Sequence, residues 1–358
     1  MIIKFYFYAY KIKLGGTVLK KIFLILFMTM LLTGCTKSGD NSGYIEQSEF
    51  LMNTIITIRA ETQDIEIVTE AFNTIRNIEN RLSNTVSESE VSKINQNAGI
   101  KSVEVSNDTF DIIKNSIHYS KISDGYFDIT VAPLSDLWNI NSDKPKVPAE
   151  EEIKKAIKLI DSNLIELDEN KKTVFLKHKG MKIDLGAIAK GYAADKTKDF
   201  LIAEGVKRAI LNLGGNVYVI GEKDEGKPWK VGIQDPETER SESIGYIECS
   251  DISVVTCATN QRYFEENGKR YHHIFNVKDG YPMNNGLKSV TVVAKSSEDS
   301  DALATTAFLS GLDKGKNLIE NTDGFEAIFI DNDKHIYLTE GLKDKFVLTD
   351  DTFVSVDE

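Results

Sequence analysis

The stretch Asp184-Leu185-Gly186-Ala187-Ile188-Ala189-Lys190-Gly191-Tyr192 concentrates groups that could hold an anion. An apolar run leads like a strand into Gly186, where a ligand can approach the backbone closely, and a helix is predicted to start there. The unpaired N–H groups of a helix start attract anions, phosphate above all. Lys190 falls in that first turn, where the helix dipole disfavours a cation unless an anion is bound. A plain glycine turn with a surface lysine accounts for the same residues. Asn212-Leu213-Gly214-Gly215-Asn216 lies between two predicted strands. Its glycine pair would either let a flat or phosphorylated ligand touch backbone or make a tight turn. Asp301 and Thr305, at i and i+4, share one helix face as hard oxygen donors of the kind magnesium or calcium takes. The competing reading makes Asp301 a helix-start acid and Thr305 a core residue. His272 and His273 adjoin Ile274 in a predicted strand, so their rings would point to opposite faces. No third ligand stands nearby in sequence, which disfavours zinc. Asp124-Gly125-Tyr126-Phe127-Asp128 reads as a turn with buried aromatics, or as aromatics stacked on an isoalloxazine or adenine ring.

These segments need elements to position them. Leu51–Ala60 alternates like one strand, and Val68, Ala71, Phe72, Ile75, Ile78 and Leu82 follow helical spacing. Asn107 and Asp108 would cap a helix carrying Phe110, Ile113 and Ile117, and Pro148 precedes another with Ile153, Ile157 and Ile160. Strands are predicted at Leu164–Leu167, Thr173–Leu176, Lys182–Leu185, Ala209–Leu213, Val217–Ile220, Trp229–Ile233, Ile244–Glu248, Ser253–Thr256, His272–Asn276 and Ser289–Ala294. Helices are predicted near Ala187–Glu204, over Asp301–Leu309 and from Lys314, with a final pair of strands at Ala327–Ile330 and His335–Leu338. Many strands with separated helices and no regular βαβ alternation predict an α+β fold with mixed sheets and flanking helices.

The whole chain has 358 residues and a net charge of −12, with 41% hydrophobic and 27% charged residues. That is a globular composition. Such acidity argues against sequence-independent nucleic-acid binding, which needs Lys and Arg to neutralise phosphates. Three cysteines exclude a disulfide scaffold and a cysteine-rich zinc site. Lys20 and Lys21 precede the apolar run Ile22–Leu32, too short to span a bilayer and built like a signal peptide. Its end, Leu32-Thr33-Gly34-Cys35, resembles a bacterial lipobox. That resemblance implies cleavage before Cys35, acylation of its thiol, and a lipid-anchored protein on the outer face of the plasma membrane. The chain is thus expected to divide into a signal peptide (1–34), a Ser/Gly/Asn-rich tether (35–47) and one body (48–358).

Taken in order, the segments resemble the bacterial ApbE family, the FAD:protein FMN transferases. The likeness runs through Leu51–Thr54, Arg81-Leu82-Ser83, Asp124–Asp128 with Val131–Leu134, Asp184–Tyr192, Leu211–Asn216, Val231–Pro236, Tyr271–Ile274, Gly280-Tyr281-Pro282 and Asp301–Thr305. It implies a T-fold-related α+β architecture, FAD as substrate and magnesium as cofactor. The implied reaction moves FMN to a threonine hydroxyl of a partner protein, and AMP leaves. By position, Met52, Tyr126, Phe127, Asp128, Asp184, Lys190 and Ile274 would contact FAD. Asp301, Thr305 and the Ala187 carbonyl would hold magnesium, Lys190 would stabilise phosphoryl charge, and His273 would serve as general base or phosphate ligand. Three departures lie near the expected pocket: Cys257-Ala258-Thr259-Asn260 for Ser-Gly-Asp-Tyr, Asn276-Val277 for Asp-Pro, and Asn53 for Gly. They leave open an FAD-binding lipoprotein without transfer, or a hydrolase splitting FAD into FMN and AMP; a lipid-anchored solute-binding protein would have no need of Asp301 with Thr305.

Overall fold

The computed structural model describes residues 43–140, 142–224, 226–238 and 242–356. Residues 1–34, expected to form a signal peptide, and Cys35 lie outside them. Nine strands form the central sheet: β1 (Tyr44–Leu51), β2 (Thr54–Glu61), β3 (Ala209–Leu213), β4 (Asn216–Ile220), β5 (Ile252–Ala258), β6 (Leu287–Ala294), β7 (Glu326–Asp331), β8 (His335–Leu338) and β9 (Val354–Ser355). Each pairs with its neighbour in this series, antiparallel throughout except for the parallel β8–β9 pair. The helices are α1 (Ile65–Leu82), α2 (Glu90–Gln96), α3 (Asn107–Ile122), α4 (Ala132–Trp138), α5 (Glu150–Ile157), α6 (Ala189–Ala203), α7 (Ser297–Ser310) and α8 (Leu312–Glu320). The α+β expectation holds.

The period of two along each strand separates two cores. Ile56, Ile58, Leu211, Leu213, Val290, Val292 and Phe329 join the side chains of α1, α6 and α7 on one face. Val219, Val254, Val293, Ile328 and Ile330 face the opposite way and pack on Trp229, Val231, Ile244 and Ile247. Those residues belong to a small sheet of Trp229–Gln234, Ser243–Cys249 and Phe346–Leu348. A satellite cluster of Leu134, Trp138, Ile153 and Phe275 is tied by the Trp138 indole N–H donating to the Gly280 carbonyl at 2.9 Å.

Four local expectations change. Leu51–Ala60 is not one strand: Leu51 pairs with Thr54 across a two-residue loop, Met52 (φ 50°) and Asn53 (φ 58°) both in the left-handed region. Positive φ at both loop positions suits the strand twist of a tight hairpin. Residues 44–47, assigned to the tether, are instead the first half of β1, because Tyr44–Gln47 pair with Ile58–Glu61. Lys182–Leu185 joins no sheet; Ile183 exchanges two hydrogen bonds with the Asn95 side chain, and the Asp184 N–H donates to the Ile129 carbonyl at 2.7 Å. The strand predicted over His272–Asn276 ends at His272, so the opposite-face argument for the two histidines lapses; it is the second strand of a hairpin, Tyr263–Glu266 with Lys269–His272.

Candidate active site

α6 and α7 cross at Gly191. A Cβ there would stand 2.1 Å from the Ser297 carbonyl oxygen, so only glycine allows this approach. Asp195, one turn along α6, fixes the crossing by accepting from the Ser297 and Glu298 N–H groups, both at 2.9 Å. α7 therefore starts at Ser297, capped by Ser296, and Asp301 is a second-turn residue with 5% exposure rather than a helix-start acid. Its carboxylate receives the Lys190 ammonium at 3.2 and 3.4 Å and the Gly191 N–H at 3.0 Å. Lys190 is thus no free surface lysine: an acid from the neighbouring helix offsets its conflict with the α6 dipole.

Because the Gly191 N–H turns to Asp301, it does not close the first helical bond to Ala187. Among the described residues, no backbone N–H donates to the Ala187 carbonyl. One turn beyond Asp301, the half-buried Thr305 lies against the Cys257 thiol, which burial pushes up to about 12. The thiol therefore stands protonated. A buried carboxylate already holding a cation, a hydroxyl one turn on and an unclaimed carbonyl at the facing helix start form a set of hard oxygen donors that fits magnesium.

A second group of residues gathers around Arg262, which sequence reasoning missed. Its guanidinium donates to the Asn53 carbonyl at 3.3 Å, while the Glu79 carboxylate accepts the Met52 N–H at 2.8 Å. The hairpin tip is held between a base and an acid. The Arg262 carbonyl faces both the His273 N–H and the ring Nδ1, each at 3.2 Å. A carbonyl only accepts, so Nδ1 carries the proton and Nε2 is the basic nitrogen. Burial first, then the Arg262 charge, with Lys190 contributing, hold His273 down at about 3. Asp184 is pushed above the usual carboxylate range by burial, opposed by the Gly186 N–H at 2.8 Å and by Arg262. The charges of Arg262 and Lys190 thus act on His273, and that of Arg262 on Asp184.

The remaining predicted contacts divide. Tyr126 is half-buried, with the Lys278 ammonium 5.5 Å from its ring centre. The Phe127 ring is 2% exposed and meets Tyr119 edge-on, leaving only its backbone for a ligand. The Asp128 carboxylate is spent inside the fold, on the Thr130 N–H and hydroxyl and on the Ser162 N–H. Ile274 is buried, with its N–H on His272 Nδ1 and its carbonyl on the Met283 N–H. His272 Nε2 meets the Met283 carbonyl at 2.8 Å, so both its nitrogens are engaged. Two departures keep local roles: Asn53 tolerates positive φ, and Asn276 organises its turn through the Lys278 N–H and Asp279. Cys257 is the departure that reaches the centre.

Residues 52–329 match the model of the ApbE family. The chain belongs to the ApbE family. The match runs from the Met52 tip to β7 and so includes every residue of the two groups. A Klebsiella pneumoniae protein named FAD:protein FMN transferase is 35% identical over 319 residues, covering 89% of this chain and 99% of that one. One of the same name from Treponema pallidum is 33% identical over 298 residues, covering 80% and 82%. Among solved structures, the ApbE protein of Thermotoga maritima superposes with a TM-score of 0.78 at 32% identity, covering 84% of this chain and 99% of that one. The flavin transferase ApbE of Vibrio cholerae gives 0.73 at 26%, covering 87% and 98%.

The two histidines make the ApbE fold acid-sensitive. Burial also lowers His272, to about 4. The unfolded chain binds protons at both rings near pH 6.5, whereas the folded protein does not until near pH 4 and 3. The two histidines' contribution to stability is therefore complete above pH 6.5 and falls as pH drops through that window, by up to about 1.4 kcal/mol per pH unit per histidine. The buried carboxylates Asp128 and Asp184, whose raised pKa values favour the fold as pH falls, partly offset that loss. Urea unfolding at pH 7 and pH 5 should show the loss, and His272→Gln should flatten it. The same pH dependence in His272→Gln as in the parent would refute neutral burial of His272.

Proposed function

We propose that this chain is an FAD:protein FMN transferase that places FMN on a threonine hydroxyl of an acceptor protein and releases AMP. The single observation that carries this is the junction of Lys190, Gly191 and Asp301, a cation and a buried hard-oxygen ligand at one helix start. The curated relatives bearing that activity name cover almost the same length. Asp301, Thr305 and the Ala187 carbonyl would hold magnesium. When bound, the ion supplies charge neutralisation at the phosphoryl oxygens.

The chain's own groups do the rest. Lys190, exchanging Asp301 for a phosphoryl oxygen, places its charge on the pyrophosphate, where it is worth most as negative charge develops. Met52 and Tyr126 border the ring system. His273 Nε2 faces the acceptor hydroxyl and takes its proton as the threonine oxygen bonds to the FMN-side phosphorus. The bond from that phosphorus to the bridging oxygen breaks, and AMP carries the oxygen away. A dianionic ligand beside His273 raises its basicity from the value that Arg262 and Lys190 impose.

Incubating the protein with FAD, magnesium and a threonine-bearing acceptor tests this reading. Flavin covalently on the acceptor with AMP in solution is the expected result. Free FMN plus AMP would mean hydrolysis, and unchanged FAD would mean binding alone. Anchoring is the second part of the proposal: a mature protein acylated at Cys35, facing outward on the plasma membrane near membrane or extracellular flavoprotein acceptors. Cys35→Ala is expected to yield an unlipidated protein in the soluble fraction or an uncleaved precursor. Unchanged processing and membrane partitioning would remove the lipobox from the account.

A further inference from the structure

Arg262 sits on the connection between β5 and the Tyr263–His272 hairpin, half-buried, where a ligand can reach it. Three observations bear on its task. Its guanidinium bonds the Asn53 carbonyl, one residue from Met52, at 3.3 Å. Its own carbonyl receives both the backbone N–H and the ring Nδ1–H of His273, so guanidinium and imidazole are carried on one short linkage. It is also the neighbouring charge of Asp184, whose carboxylate organises the Gly186 turn. Arg262 therefore bonds the tip and the histidine together, and its charge acts on the carboxylate of the glycine turn.

We propose that Arg262 is a phosphate-binding residue of this site, a second cation beside Lys190 for the pyrophosphate of a dinucleotide. The proposal rests on the FAD reading above and adds a residue to it. A phosphoryl group accepts two parallel, charge-assisted bonds from a guanidinium fork, a stronger arrangement than its bond to the neutral Asn53 carbonyl. The linkage to His273 runs through the Arg262 backbone carbonyl, so it stays in place when the guanidinium turns to a phosphoryl group. Electrostatics point the same way. The chain carries a net charge of −12, and Asp301 already pairs with Lys190, so a pyrophosphate meets little attraction from Lys190 alone. A guanidinium whose own carbonyl holds His273 supplies the missing local charge.

Binding of three probes, FAD, ADP and riboflavin, to the full chain in magnesium separates this from a merely structural role. FAD and ADP carry the pyrophosphate; riboflavin carries only the ring and ribityl chain. Arg262→Gln is expected to weaken FAD and ADP alike, by about 10- to 100-fold, and to leave riboflavin within about twofold. Arg262→Lys, which keeps the charge but not the fork, should recover part of the loss and serves where the glutamine variant folds poorly. If Arg262 only props the Met52–Asn53 tip, FAD and riboflavin lose affinity by the same factor while ADP is untouched. That pattern, or no change in any probe, overturns the proposal. Failure of the underlying reading looks different: the parent protein itself would bind FAD no tighter than riboflavin.

Discussion

Asp301→Ala is expected to reduce FMN transfer by orders of magnitude and to lower stability as well. One carboxylate serves three partners: the Lys190 ammonium, the Gly191 N–H and, in the proposed reaction, magnesium. Alanine strands the Gly191 N–H in a buried position, which costs about 1–3 kcal/mol, and frees Lys190 to swing away from the helix start. Asp301→Asn divides these effects. Its side-chain oxygen still accepts the Gly191 N–H, so melting temperature should stay near that of the parent, while the lost charge removes both the pairing with Lys190 and a hard anionic ligand. Transfer should therefore fall in both variants but stability chiefly in the first. Single-turnover transfer across a magnesium titration, with melting curves alongside, gives both readouts. Full activity of Asp301→Ala at limiting magnesium would dispose of the metal assignment.

The legible parts of this fold are those whose cause is local. Val68, Ala71, Phe72, Ile75, Ile78 and Leu82 recur at helical spacing, and all six are buried on α1. Thr173–Leu176 and Ala209–Leu213 alternate, and both are strands with the bounds read from the sequence. The misread parts depend on contacts from far along the chain. Met52 has no intrinsic reason to adopt positive φ; Glu79 and Arg262, 27 and 209 residues from the tip residues they bond, hold the loop that splits β1 from β2. Lys182–Leu185 has a strand's composition, but its backbone bonds the Asn95 side chain, the Ile129 carbonyl of a short 3-10 turn and the N–H groups of the following helix start, never a neighbouring strand. The centre behaves likewise. Lys190 and Asp301 were each recognisable, yet the bond between them spans 111 residues and no spacing rule announces it. The start of α7 was misplaced because Ser296 and Asp195, not Asp301, satisfy its first N–H groups. Arg262 carried no signal of its own, since its neighbours are assembled from three separate segments.

Gly191→Ala should cost several kcal/mol, against the gain of about 1 kcal/mol that alanine brings to an ordinary helix interior. The sign follows from what the new methyl group meets. It would lie 2.1 Å from the Ser297 oxygen, 2.6 Å from its carbonyl carbon and 2.7 Å from Glu298 Cα. All three are backbone atoms, so no rotamer change relieves the overlap, and α6 must move off α7 by roughly an ångström to restore van der Waals contact. That movement pulls Asp195 from the two N–H groups it caps and strains the Ser253–Ser297 hydroxyl bond at 2.9 Å. Overpacking usually costs about 1–3 kcal/mol, and a backbone-on-backbone clash belongs at or above the upper end. The same displacement separates Lys190 and the Ala187 carbonyl, on α6 and its approach, from Asp301 and Thr305 on α7. FAD affinity in magnesium should consequently fall further than the melting temperature alone accounts for, measured well below the transition where the protein remains folded. A Gly191→Ala protein that melts at or above the parent temperature would show that the helices do not cross this closely, and with that the whole arrangement of Lys190 against Asp301 would have to be redrawn.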